Sequence, residues 1–168
     1  MIGRRVVTGH TPDGKAVIAR EDMVSPISLG ARGSELYVLW GRDDTATFPD
    51  DGAQPPIKNA FPPIGGCRAS VISIGPGGTE EFNVMVSTAL AEYAEPDEPG
   101  MHRTASLDFD IVLSGQVVLE LDDGVEVVLT AGDVVVQNGT RHRWHNRGNE
   151  PAVYASVVLG ARNALVAE

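Results

Sequence analysis

Cysteine is almost absent: Cys67 is the only one in 168 residues. A single thiol cannot close an intramolecular disulfide or supply the paired thiolates of a zinc site, so a reducing cytoplasm is the expected setting. Long apolar runs are missing too. The opening MIGRRVVTGH has no apolar secretory core, and no later segment approaches the uninterrupted apolar length that a bilayer requires. A soluble, intracellular protein with no membrane partner is expected. Basic residues are in deficit, 13 Lys and Arg against 23 Asp and Glu, for a formal charge of −10. Such a surface repels phosphate backbones and anionic lipid headgroups, which excludes nucleic acid as a partner.

What is present is a chain long enough for one hydrophobic core, read as a single domain over residues 1–168. RRVVTGH and KAVIARED are short β-like runs around TPDG, a hairpin in which Pro12 presets φ and Gly14 closes the turn. SELYVLWG is a further strand. It leads into PDDGAQPPIKNAFPPIGG, whose five prolines cannot join a strand ladder, so residues 49–66 are loop. A connection this long is a lid or a strap, and the lack of chemically distinctive residues favours a strap. CRASVISIG and EFNVMVS read as strands around PGGTE, and STALAEYAE is the only stretch with helical character.

From Met101 the rhythm becomes regular. FDIVLSG, QVVLEL, VEVVLTAG, DVVVQ, HRWHN and AVYASVVLG are β-branched runs separated by compact turns, the pattern of a sandwich or barrel. LDDGVEV contains the Asp-Gly pair favoured in two-residue hairpin loops. No internal repeat stands out. GPGGTEE lacks the lysine of a phosphate-binding loop, and no G-x-S-x-G elbow marks an activated serine.

The chemically interesting residues lie in GMHRTASLDFDIVLSG and GTRHRWHN. Strand alternation would put His102, Thr104, Ser106, Asp108 and Asp110 on one face, and His142 with Trp144 opposite to His145. Arg103, Arg141 and Arg143 fall between the inward positions and read as outward, solvated charges.

These two stretches resemble the motifs of the cupin family, G-x5-H-x-H-x3,4-E-x6-G and G-x5-P-x-G-x2-H-x3-N. His102 matches the leading histidine, and Gly115 follows Asp108 at the family spacing. Gly139, His142 and Asn146 match the second motif. Thr104 stands where the family has its second histidine, and Asp108 where it has glutamate. Pro96, Gln137 and the position of Gly132 depart from the pattern as well. The resemblance covers roughly residues 100–160. It implies an all-β jelly-roll barrel, a double-stranded β-helix over residues 67–168, with additional N-terminal strands in residues 1–66 packed on it.

It also implies a divalent metal, iron, manganese, nickel or zinc, held by His102, Asp108 and His142, with Thr104 at the vacant ligand position. Asp110 would then be a catalytic proton carrier, and Thr104, Trp144 and Tyr154 would contact a small-molecule substrate. Decarboxylase, dehydratase, isomerase and dioxygenase chemistry are all compatible with the family. The alternative is a metal-free pocket that keeps the histidines for hydrogen bonding, in a sensor or carrier that turns nothing over. A barrel filled by its own side chains, in a purely structural subunit, is a third reading. By the same resemblance the protein is expected to be a homodimer.

Overall fold

Short runs rich in valine, isoleucine and leucine make the strand the natural state of much of this chain, and a computed structural model shows eleven strands among the residues it describes. It describes residues 3–58, 60–77, 83 and 98–166. The strand expected over EFNVMVS and the helical stretch STALAEYAE lie outside the described residues, Asn83 excepted. Among the described residues no helix is long and apolar enough to cross a membrane.

Strands β1 (Arg4–His10) and β2 (Ala16–Met23) form a separate antiparallel hairpin. Its turn follows the sequence: the Gly14 amide donates to the Thr11 carbonyl, 2.8 Å, with Pro12 at the corner. The larger sheet has six strands in the order β3-β4-β5-β11-β6-β9. Here β3 is Ile27–Ser28, β4 Glu35–Arg42, β5 Cys67–Ile74, β6 Ser106–Ser114, β9 Val134–Gln137 and β11 Ala152–Gly160. A three-stranded sheet, β10-β7-β8, is made of Arg143–His145, Gln116–Glu120 and Glu126–Thr130. Every pairing is antiparallel. Together they make the expected all-β jelly roll.

The link from β6 to β7 is a single residue, Gly115, at φ +74°. A Cβ there would sit 2.4 Å from the Pro151 carbonyl oxygen, so only glycine fits. The Asp123-Gly124 pair takes positive φ at both residues as expected. Its loop is longer than the two residues expected, however, because the Leu121 amide closes it on the Val125 carbonyl, 2.8 Å.

Alternation along β6 and β11 divides the barrel interior in two. On β6 the buried positions are Ser106, Asp108, Asp110 and Val112; on β11 they are Ala152, Tyr154, Ser156 and Val158. Tyr154 is paired with Val112, Ser156 with Asp110 and Val158 with Asp108. Towards Val112 and Ala152 the interior is solid, filled by Ile74, Val117, Leu119, Leu129 and Trp144. Towards Asp108 and Val158 it opens into a cavity. The side chains that a strand directs inward thus change from hydrocarbon to carboxyl within four residues.

The proline-rich segment is a strap fastened along its length. Gln54 Nε2 donates to the Gly41 carbonyl, 2.6 Å, and the Lys58 amide donates to Asp43, 2.9 Å. At its end the Gly160 amide reaches the Gly66 carbonyl, 3.2 Å. Its other neighbour is the N-terminal hairpin, where the His10 amide donates to the Asp50 carbonyl, 2.7 Å. It does more than cover surface, because Ala60 and Phe61 form part of the cavity wall.

Candidate functional site

His102 lies outside the named strands, but its backbone pairs with that of His142 in an isolated antiparallel bridge. Each amide donates to the other's carbonyl, at 3.0 and 2.9 Å. Directly opposed residues of such a pair project to the same side. The two imidazoles therefore lie together, with ring centroids 4.3 Å apart, although forty residues separate them in sequence.

Backbone carbonyls set the protonation of both rings. His102 Nδ1 lies 2.8 Å from the Gly100 carbonyl oxygen and His142 Nδ1 lies 2.9 Å from that of Thr140. A carbonyl only accepts, so each Nδ1 carries the hydrogen and each neutral ring keeps its lone pair on Nε2. Burial disfavours the charged form of His102. Burial, with His102 as a neighbour, takes His142 down to about 3.

Both rings line a cavity of about 270 Å³ together with Asp108, Asp110, Trp144 and Tyr154. Asp108 is 6% exposed, and its Oδ1 has no hydrogen-bond partner. Burial pushes its carboxyl up to about 6, against a hydrogen bond with Ser106. Asp110 is pushed up to about 7, again by burial first; a hydrogen bond from Ser156 opposes the rise and the charge of Asp108 adds to it. Trp144 and Tyr154 stack with centroids 5.1 Å apart, and the Trp144 edge meets His142. Burial raises the Tyr154 phenol, which keeps it neutral.

Six of the seven residues singled out from the sequence are thus brought to one cavity. Thr104 is not. It is 1% exposed, but its Oγ1 is 2.8 Å from the Ser106 hydroxyl and it does not line the cavity. The strand count that placed it beside Asp108 fails because β6 begins only at Ser106. Among the lining residues not foreseen are Arg68, Ser156 and Phe61. An arginine in the apolar run CRASVISI, and a serine two residues after Tyr154, were the available signals. Nothing in the local sequence of Phe61 marks it.

A divalent ion holds nitrogen and oxygen donors at about 2.0–2.2 Å, so no two of its donors lie more than about 4.4 Å apart. Among the described residues the one group of three or more whose donor atoms all lie within 4.8 Å of one another is Glu120, Glu126 and His145. His102, His142 and Asp108 do not form such a group, nor do any three that include Asp110. The residues expected to hold a metal therefore do not converge on one ion as they stand.

The Glu120 cluster is occupied by its own cations. Arg143 grips Glu120 with two hydrogen bonds, 2.8 and 2.7 Å, and His145 Nε2 lies 2.6 Å from the same carboxylate. Arg147 pairs with Glu126 through both terminal nitrogens. Arg143 first, and His145 after it, hold Glu120 down at about 2 against the opposing effect of burial. Two guanidiniums on the spot oppose a third cation, so this is an ion-pair network.

Residues 89–158 match the family model described as a cupin domain. The chain carries a cupin domain. Phomopsin biosynthesis cluster protein D of Diaporthe leptostromiformis is 34% identical to this cupin over 111 residues, 66% of this chain and 47% of that protein. The cupin-domain-containing oxidoreductase fogC of Aspergillus ruber is 34% identical over 80 residues, 46% of this chain and 39% of its own. The chain spans less than half the length of these relatives. A solved RmlC-like cupin from Shewanella frigidimarina superposes with a TM-score of 0.47 at 15% identity, covering 85% of this chain and 89% of that one.

Proposed function

We propose that this cupin binds a small, largely apolar molecule in the barrel cavity and moves a proton on it, in an isomerase- or dehydratase-type reaction. One observation carries the reading: two buried carboxyls, Asp108 and Asp110, stand at successive inward positions of β6 in a cavity shared with two neutral imidazoles. A carboxyl that titrates near 7 is suited to give and take a proton at physiological pH. Asp110 is the general acid and base. His102 and His142 accept hydrogen bonds from the bound molecule, and Trp144, Tyr154 and Phe61 enclose its apolar part. That a relative is described as an oxidoreductase supports an enzymatic role.

The metal reading has one observation in its favour, the two Nε2 lone pairs on adjacent rings. Iron, manganese, nickel or zinc on His102, Asp108 and His142 would require the three side chains to draw closer together than they stand. A homodimer in the cytoplasm belongs to the same proposal.

An enolisable ketone incubated in D2O tests the reaction without a known substrate. With 4-phenyl-2-butanone, hydrogen exchange at the carbon next to the carbonyl should run above the buffer rate and be lost in Asp110→Asn. Binding of the ketone with no exchange would favour the non-catalytic carrier. Stoichiometric metal in the purified protein, lost in His102→Ala, would favour the metal reading.

A further inference from the structure

The polar side of the cavity is unusual in what it offers a ligand. Asp108 Oδ1, buried and without a partner, is an acceptor when ionised. The two imidazoles, their Nδ1 hydrogens committed to backbone carbonyls, have only the Nε2 lone pair left to offer. Asp110 adds a second carboxyl. The cationic side chain on the lining, Arg68, has its terminal nitrogens on the Arg42 and Cys67 carbonyls and on the Asp43 carboxylate, which balances its charge. The ligand that complements this patch has hydrogens to donate and a positive charge.

We infer that the cavity takes a small organic ammonium, an amine with an apolar body, whose N–H groups meet Asp108 and the paired imidazoles of His102 and His142. The inference rests on the cavity being the ligand site and gives its two carboxyls separate tasks: Asp108 pairs with the ammonium, and Asp110 remains to move the proton. Spacing disfavours a metal: the donor atoms of His102, His142 and Asp108 do not all lie within 4.8 Å of one another, too far apart to surround one ion at about 2.1 Å. An ammonium makes no such demand, because its hydrogen bonds of about 2.7–3.2 Å, tetrahedrally disposed, join acceptors about 4.4–5.2 Å apart. The aromatic wall suits it as well. Trp144 and Tyr154 present stacked ring systems beside the polar patch, and a cation near such faces gains from their quadrupoles while its hydrocarbon part is buried.

Three probes of matched shape test the inference on the full-length protein: benzylamine, benzyl alcohol and benzoate, titrated separately by calorimetry after dialysis against a chelator. Benzylamine is expected to bind at least tenfold more tightly than benzyl alcohol, and benzoate more weakly than either, since a charge-assisted hydrogen bond is about twice as strong as a neutral one. In Asp108→Asn, which changes no volume, the preference for amine over alcohol should fall to near unity while the alcohol still binds. Phe61→Ala, which removes hydrocarbon from the wall and no charge, should weaken both and leave the preference unchanged. Equal binding of amine and alcohol by the parent overturns the ammonium inference and leaves the cavity as a ligand site; so does a preference that survives in Asp108→Asn. If none of the three binds and none alters Trp144 fluorescence, the ligand-site reading itself falls. Stoichiometric zinc or nickel binding that depends on His142, with no amine preference, assigns the patch to a metal and overturns the inference.

Discussion

Asp110 is 5% exposed, and its carboxyl holds its proton up to about pH 7 because burial disfavours the charged form. The unfolded chain releases that proton near pH 4. Between those limits the folded state binds more protons than the unfolded one, so this residue's contribution to stability falls as pH rises through the window. Asp110→Asn removes the dependence. Chemical denaturation at pH 4 and pH 8 should show the variant gaining on the parent by up to about 4 kcal/mol, with the change complete above pH 7. The buried histidines act in the opposite direction in both proteins and cancel in the comparison. A constant difference between the two pH values would show that Asp110 is not held neutral. At this scale the sequence was informative where alternation is regular: the count from Ser106 through Asp110 is correct. It failed at Thr104, because an extended reading continued past the start of β6, and it could not show the backbone bridge that aligns His102 with His142.

Asn146, matched to the second motif by spacing alone, proves to be a tie between elements. It is fully buried, and its Nδ2 donates to the carbonyls of Ile74, Gly75 and Glu150, at 2.8, 3.2 and 2.8 Å. Its Oδ1 accepts from the Gly148 amide, 2.9 Å. This one amide joins the end of β10 to the end of β5 and the approach to β11. Asn146→Ala leaves those backbone groups unsatisfied and should cost about 2–4 kcal/mol in urea unfolding. A loss under 0.5 kcal/mol would contradict the role. The strands were legible because β-branched runs and glycine turns report local preference, as in DVVVQ and AVYASVVLG. The strap's contribution to the cavity was not, since Phe61 lines the cavity from a segment fastened at Gln54, Lys58 and Gly66, far along the chain from either motif.

For the molecule as a whole, the outward side of the larger sheet bears on assembly. Phe109, Ile111, Val134, Val136, Val157 and Leu159 are between 37% and 55% exposed. Register makes them neighbours, with Phe109 beside both Val136 and Val157 and Ile111 beside Val134. Contiguous apolar surface of this kind marks an interaction site more often than scattered exposed residues do. Under the homodimer proposal, sedimentation should give twice the chain mass and Phe109→Asp should give a monomer with the cavity intact. A monomeric parent at micromolar concentration would contradict the dimer. The overall charge, by comparison, is readable from composition but does not report the interior, where the two decisive carboxyls stand away from solvent.

Two acid side chains are held in a desolvated cavity beside neutral imidazoles. Carbon-13 NMR of the aspartate carboxyls, assigned with Asp108→Asn and Asp110→Asn, measures this directly across a pH titration. The pair should titrate with apparent midpoints near 6 and 7. Midpoints near 4 for both would mean that these carboxyls face water, and the proton-transfer site would not exist.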